Sequence, residues 1–327
     1  MCIPGKRHRA LGENLTMTKN RFDIDPEIQA FIEKTRSYYE DQCLDDMVSQ
    51  RACYNAMCRT FDSPYPEGVT STSHSIDSNG HDLPLRQYRS PSSTHQTAIV
   101  YFHGGGFVVG DLESHDSICA DICNCTGLTV FAVEYRLAPE YHFPDDLDDA
   151  LAGFHYVARK FNQIIVVGDS AGGTLAAAVG IATRNLEFQP SGQVLIYPSL
   201  GGEDLGLASY LVNAHAPLLT TEDVHYYRNM RTTSGNERNN PLLFPLKLVD
   251  YQGLPRCVVF SADIDPLRDD ARVFTENTKK AGVASTWINE PGLPHGYLRA
   301  RHCSQLAGNG FSRICRAITE IASTTQG

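Results

Sequence analysis

Ser170 stands in Gly168-Asp169-Ser170-Ala171-Gly172, between the apolar run Ile164 to Val167 and an Ala-rich helical stretch, Leu175 to Ala182. A G-x-S-x-G at a strand-to-helix junction puts the serine on a tight, strained turn, clear of the sheet, and the flanking glycines avoid collisions there. At a helix N-terminus, unpaired N–H groups favour developing negative charge. These are the requirements of a nucleophilic serine. The pentapeptide alone would match by accident on the order of one time in ten, given ~7% glycine usage. A glycine-rich turn carrying a solvated serine fits the same letters, but the strand before and the helix after favour the nucleophile.

Such a serine needs a base, and the base needs an acid that orients it. On a strand–turn–helix scaffold the chain order is Ser, then Asp or Glu, then His. Only His295 and His302 follow the last predicted strands. His295 lies in the turn-rich Pro291-Gly292-Leu293-Pro294-His295-Gly296, directly after a strand, and is the candidate base. His302, among Arg299, Arg301 and Cys303, fits a solvated position. The acid should sit just past the strand Cys257 to Ser261, where Asp263 and Asp265 both qualify. Asp265 is favoured because the following proline biases it toward an extended conformation that presents its carboxylate from a loop end. Asp269 and Asp270 are expected to start the next helix.

A tetrahedral oxyanion requires backbone donors, and His103-Gly104-Gly105-Gly106-Phe107 supplies them directly after a strand. The candidate donors are the N–H groups of Gly105, Gly106 and Ala171; losing one such donor typically costs ~2.7–4 kcal/mol of transition-state stabilisation. A phosphate-binding loop would carry Lys-Ser/Thr after its glycines, and none follows here.

The elements that must position these residues alternate. Asp25-Pro26-Glu27 is a helix start, followed by Ile28, Phe31, Ile32, Thr35, Tyr38 and Tyr39 at helical spacing. Ser73 to Ile76 and Leu83 to Tyr88 read as a hairpin around Ser78-Asn79-Gly80. Strands follow at Thr97 to Phe102, Leu128 to Val133, Ile164 to Val167, Gln193 to Tyr197, Cys257 to Ser261 and Ser285 to Asn289. Helices lie between them, one ending at Gly127 and one spanning Leu147 to Lys160. Short, nearly all-apolar strands separated by helices specify a buried parallel sheet covered on both faces. Residues 199 to about 253, with a polar helix near Thr221-Glu222-Asp223, are too long for a simple connection and read as an insertion over the C-terminal edge of the sheet. Residues 1 to about 22 read as irregular, with Met17 a second candidate start.

Composition narrows the function classes. A net charge of −10 argues against nucleic acid or an anionic membrane as partner. No apolar run approaches the ~20 residues of a membrane span, and no hydrophobic signal core follows the basic N-terminus, so a cytoplasmic enzyme is expected. No feature specifies an oligomeric state. The ten cysteines include no C-x-x-C pair, which disfavours zinc and points to reduced thiols, mostly buried, such as Cys119 beside Ile118 and Ile122. The acids of Asp145-Asp146-Leu147-Asp148 and Asp149 suit a helix start, where they are expected to be solvated rather than to bind a metal.

Four motifs together resemble the hormone-sensitive-lipase family of α/β-hydrolases, in particular its acetyl-esterase-like members. They are His103-Gly104-Gly105-Gly106-Phe107, Tyr135-Arg136-Leu137-Ala138-Pro139-Glu140, Gly168-Asp169-Ser170-Ala171-Gly172-Gly173, and Asp265-Pro266-Leu267-Arg268-Asp269 with His295-Gly296 beyond. Two departures stand out: Glu134 where the family often has Asp, and Asp263 as a second carboxylate near the orienting one. The resemblance implies an α/β-hydrolase fold with a mostly parallel eight-stranded sheet, helices on both faces and a helical cap. It assigns residues 1–66 to an N-terminal extension and cap helices, 199–253 to a cap insertion, and 67–198 and 254–327 to the hydrolase core. It makes Asp265 the catalytic acid beside Ser170 and His295. The implied activity is hydrolysis of small-molecule esters with short acyl chains, acetyl to butyryl, through an acyl-enzyme, without metal or organic cofactor. A longer-chain lipase and a specialised deacetylase or amidase use the same machinery. A silent binding protein, as in the gibberellin receptors of this fold, would have lost the histidine that this chain retains.

Overall fold

Eight strands form one sheet in the order β1-β2-β4-β3-β5-β6-β7-β8. They are β1 (Thr70–Ser78), β2 (His81–Arg89), β3 (Thr97–Phe102), β4 (Thr129–Val133), β5 (Gln163–Asp169), β6 (Gly192–Ile196), β7 (Arg256–Ile264) and β8 (Ser285–Pro294). The computed structural model describes residues 22–40, 46–93, 96–233, 237 and 239–324. The irregular stretch expected at the N-terminus falls, but for residue 22, outside them. The β1–β2 hairpin turns through Asn79 and Gly80, both at positive φ, and pairs antiparallel with β4. All remaining pairings are parallel.

Alternation along each strand decides which helices cover which face. Ile99 and Tyr101 of β3 and Ile165 and Val167 of β5 join one cluster with α1 (Pro26–Ser37), α3 (Asp116–Thr126) and α9 (Gln305–Thr324). Their neighbours Ala98, Val100, Phe102, Ile164 and Val166 join the other, against α4 (Asp145–Ala158), α5 (Ala171–Ala182) and α8 (Arg268–Lys280). With both faces covered, the central strands β3 to β6 carry almost no polar residue except at their ends, as expected of a parallel sheet.

The expected strands all form; β1, β2, β5, β7 and β8 run three to five residues longer, because ladder pairing continues past the apolar stretch, whereas β3 and β6 keep the expected length and β4 is one residue shorter. Among the described residues, three helices have no counterpart in the element-by-element sequence reading: α2 (Met47–Thr60), the four-residue α6 (Ser209–Val212) and α9. In α9, Ala307, Phe311, Ile314, Ile318 and Ile321 recur at helical spacing and are buried. Residues 199–253 hold α6 and α7 (Thr221–Arg231), with 3-10 turns at Gly202–Leu205 and Pro245–Lys247. A capping box starts α7: Thr220 Oγ1 accepts from the Asp223 N–H, and Asp223 accepts from the Thr220 N–H.

The acids opening α4 are not all solvated, contrary to expectation. Asp149 is fully buried, accepting from Arg136 Nε at 2.8 Å and from Ser78 Oγ at 2.7 Å. Asp146 is buried against Arg231, 2.6 Å away. These carboxylates fasten the hairpin, the turn after β4 and α7 to one helix start. Among the described residues, no group of three or more His, Cys, Asp or Glu side chains is placed to hold a metal ion. No helix among them is long and apolar enough to cross a membrane.

Candidate active site

Ser170 occupies the turn between β5 and α5 with φ 54° and ψ −117°, outside the regions that L-residues prefer. Its own N–H donates to the Ile196 carbonyl at 2.8 Å, which pins the turn to β6. The turn is possible only without a Cβ at position 172, which would run into the Phe102 carbonyl; Gly172 lets α5 pass this close to the end of β3. Ala171 opens α5, where backbone N–H groups have no intrahelical acceptor.

His295 follows β8 and brings Nε2 to 3.0 Å from Ser170 Oγ. Its Nδ1 lies 2.7 Å from Asp265 Oδ2. Asp265 is fully buried just beyond β7, where its Oδ1 accepts from the Leu267 N–H at 2.8 Å and its carbonyl accepts from Asn213 Nδ2 at 2.9 Å. Asp263, the other carboxylate weighed for this position, faces elsewhere. It accepts from Asn289 Nδ2 at 3.0 Å and from the Gly292 N–H at 3.3 Å, and so steadies the end of β8. The three side chains come from turns after three different strands and meet at the C-terminal edge of the sheet.

Gly105 and Gly106 line the same cavity as Ser170 and His295, and Ala171 lines the pocket on the other side of the serine. Gly105 has φ 132° and its carbonyl accepts from the Val108 and Val109 N–H groups; a Cβ there would strike the Val109 carbonyl. The ring of Tyr227, from α7, lies against Gly106. His103 is buried, stacked on Tyr135 at 4.3 Å between centroids. Burial, reinforced by neighbouring His115, pushes its pKa down to about 4. It is therefore neutral at neutral pH, with Nδ1–H donating to the Gly104 carbonyl at 2.9 Å. Glu134, the departure from the common Asp, accepts from the Leu112 N–H at 2.7 Å, and burial pushes it up to about 7.

Beneath the serine lies a polar layer that sequence reasoning did not single out. Asp169 accepts from the Gly104 N–H at 3.0 Å and from Tyr101 Oη at 2.7 Å, joining the glycine loop to the serine turn. His115 stands 3.4 Å from the same carboxylate. Arg299 donates to the Ser114 carbonyl at 2.7 Å and to Tyr54 Oη at 3.0 Å. The surroundings of His302 correct the sequence reading in part. His302 itself is half exposed, but Arg299 and Arg301 are buried, Arg301 pairing with Asp121 at 2.6 Å. No local sequence signal marks this layer, because its partners lie far apart along the chain.

Two spaces flank Ser170. The larger, about 690 Å³, reaches Phe31, Thr35 and Tyr39 of the α1 end, Tyr54 and Met57 of α2, and Leu298. The smaller, about 50 Å³, is closed by Leu219, Val224, Phe244 and Leu267.

A family model described as alpha/beta hydrolase fold matches residues 99–299. The chain is 29% identical over 335 residues to carboxylic ester hydrolase LipN of Mycobacterium tuberculosis, covering 96% of this chain and 87% of that one. It is 30% identical to the ethyl acetate hydrolase of Pseudomonas putida, covering 74% of this chain and 80% of that one. Among solved structures it resembles the hyperthermophilic esterase of the archaeon Pyrobaculum calidifontis, with TM-score 0.83 and 27% identity over 91% of this chain and 99% of that one. On the family match across most of its length, carried by the serine turn and glycine loop just described, this chain belongs to the alpha/beta hydrolases, in their hormone-sensitive-lipase-like branch.

Proposed function

We infer that this protein is a serine carboxylesterase acting on small-molecule esters of short acyl chains, acetyl to butyryl. The observation that carries this reading is the relay from Ser170 Oγ to His295 Nε2 at 3.0 Å and from His295 Nδ1 to Asp265 Oδ2 at 2.7 Å. With Nδ1–H donated to the buried carboxylate, Nε2 is left to accept the serine proton. Ser170 Oγ attacks the ester carbonyl as His295 takes that proton. The negative charge on the carbonyl oxygen is met by the N–H groups of Gly105, Gly106 and Ala171. Collapse of the tetrahedral intermediate breaks the bond to the alcohol oxygen, which receives the proton from His295. Water, deprotonated by the same imidazole, then attacks the acyl-serine, and the acid is released.

The short-acyl preference is supported by the 50 Å³ space beside Ser170 and by the ethyl acetate hydrolase among the relatives. Residues 1–66 and 199–253 act in this reading as the cover of the site, and 67–198 with 254–327 as the hydrolase core. The test is hydrolysis of p-nitrophenyl esters from acetyl to decanoyl, with Ser170→Ala as control. Turnover should peak at acetyl to butyryl, and the variant should lose at least ~10⁴-fold in kcat with an unchanged melting temperature. A decanoyl optimum would replace the short-chain reading with a lipase. Turnover retained in Ser170→Ala would remove the serine from the mechanism.

A further inference from the structure

The two spaces beside Ser170 differ more than tenfold in volume, and chemistry decides which part of an ester goes into each. The departing alcohol oxygen must lie next to His295 Nε2 to receive its proton. His295 lines the 690 Å³ cavity and takes no part in the 50 Å³ one. The alcohol therefore leaves through the large cavity, and the acyl group occupies the small one. At ~10–15 Å³ of such space per small heavy atom, the small space holds about three to five atoms beyond the carbonyl carbon. The large one is the size of cavities that enclose drug-sized ligands.

The lining of the large cavity is mostly apolar, with Phe31, Met57, Ile118, Leu218 and Leu298. Polar side chains interrupt it, among them those of Thr35 and Tyr39. Thr35 is 8% exposed, and its Oγ1 is buried without a hydrogen-bond partner among the described residues. Tyr39, one helical turn further on, has its Oη buried and equally unpartnered. Burial, with the Tyr54 hydroxyl nearby, keeps Tyr39 protonated. An unsatisfied buried hydroxyl costs stability; both residues line the cavity while their oxygens stay covered, so a bound molecule that turns these side chains toward itself supplies what the protein lacks. The exposed side chains of Arg36 and Glu40 line the same end of the cavity, so that end opens to solvent.

Resting on the esterase reading, we propose that the substrate is a short-acyl ester of a large, mainly apolar alcohol bearing a hydroxyl or carbonyl group that hydrogen-bonds Thr35 and Tyr39. The acyl side fixes only a small group; the alcohol side carries the recognition. Neutral esters fit this wall, because its unpartnered groups are hydroxyls, which serve as donor or acceptor alike.

The experiment compares kcat/KM, by pH-stat, for alkyl acetates of four to ten carbons, the matching ω-hydroxyalkyl acetates, and methyl esters of the corresponding acids. All leaving groups are simple alkanols, so intrinsic reactivity is matched. Octyl acetate should exceed methyl octanoate at least ~10-fold, and at one chain length the hydroxylated acetate should exceed its plain counterpart about fivefold, the worth of one hydrogen bond. In Thr35→Val/Tyr39→Phe that ratio should fall to about one. Preference for methyl octanoate would reverse the assignment of the two spaces and overturn the proposal. So would a ratio near one at every length in the wild-type enzyme, which decides the matter even if the variant does not fold. An excess that survives the double substitution would overturn the role of the two hydroxyls. Absence of Ser170-dependent turnover on any ester would instead overturn the esterase reading itself.

Discussion

At the scale of single residues, the two carboxylates near β7 have different work despite standing two positions apart. Asp265 holds His295 Nδ1, whereas Asp263 holds Asn289 and the Gly292 N–H. Asp265→Asn should therefore lower kcat by about 10⁴-fold, as loss of the correct imidazole tautomer does in such a relay. Asp263→Asn should cost less than about tenfold, and p-nitrophenyl acetate kinetics distinguish the two. The proline after Asp265 and the chain-order rule were enough to favour this residue from the sequence; the direction in which Asp263 points was not, because it depends on where β8 ends. Glu134 offers a test by pH. Folding raises its pKa from 4.5 to about 7 through burial. Between those values the folded chain holds a proton that the unfolded chain has released. Its contribution to stability is therefore complete below pH 4.5 and is lost as pH rises through 7. The urea midpoint of Glu134→Gln should decline less between pH 5 and pH 8 than that of the wild type.

At the scale of elements, the β5–α5 turn and the loop after β3 share one carboxylate. Asp169 sits one residue before the serine and binds Gly104, one residue before the first candidate oxyanion donor. The two halves of the site are thus registered against each other by a group that takes no part in bond making. Asp169→Ala should leave Ser170 present yet lower kcat roughly tenfold or more on p-nitrophenyl acetate, with a smaller change in KM, because misplaced donors weaken transition-state stabilisation. The motif letters identified the serine turn and the glycine loop separately. The joint between them was not legible, since Tyr101, His115 and Arg299 come from elements up to 198 positions apart that only the folded sheet brings together. The same reason explains the acids at the start of α4. A run of Asp at a helix start reads as solvated until Arg136 and Arg231 are known to reach it.

At the scale of the whole molecule, the alternating strands and helices were legible because each central strand is a short apolar run bounded by turn residues, while α9 was passed over although its spacing is regular. Binding and folding are joined through α1. Phe31 belongs to the core cluster under the sheet and also to the wall of the large cavity. Phe31→Ala should destabilise the protein by about 3 kcal/mol or more in urea unfolding and raise KM for bulky acetates in the same variant. The backbone of Ser170 has a consequence for the chain's evolution. A residue held at φ 54°, ψ −117° carries strain of about 1–3 kcal/mol, whereas glycine there would be relaxed, at a cost of roughly 0.5–1 kcal/mol in extra unfolded-state freedom. Ser170→Gly should accordingly melt about 2 °C higher than the wild type while hydrolysing nothing. A search for thermostable variants that screened melting temperature alone would thus enrich for loss of the proposed nucleophile, and any lineage retaining Ser170 has kept it against a small, constant pull toward a more stable and idle protein.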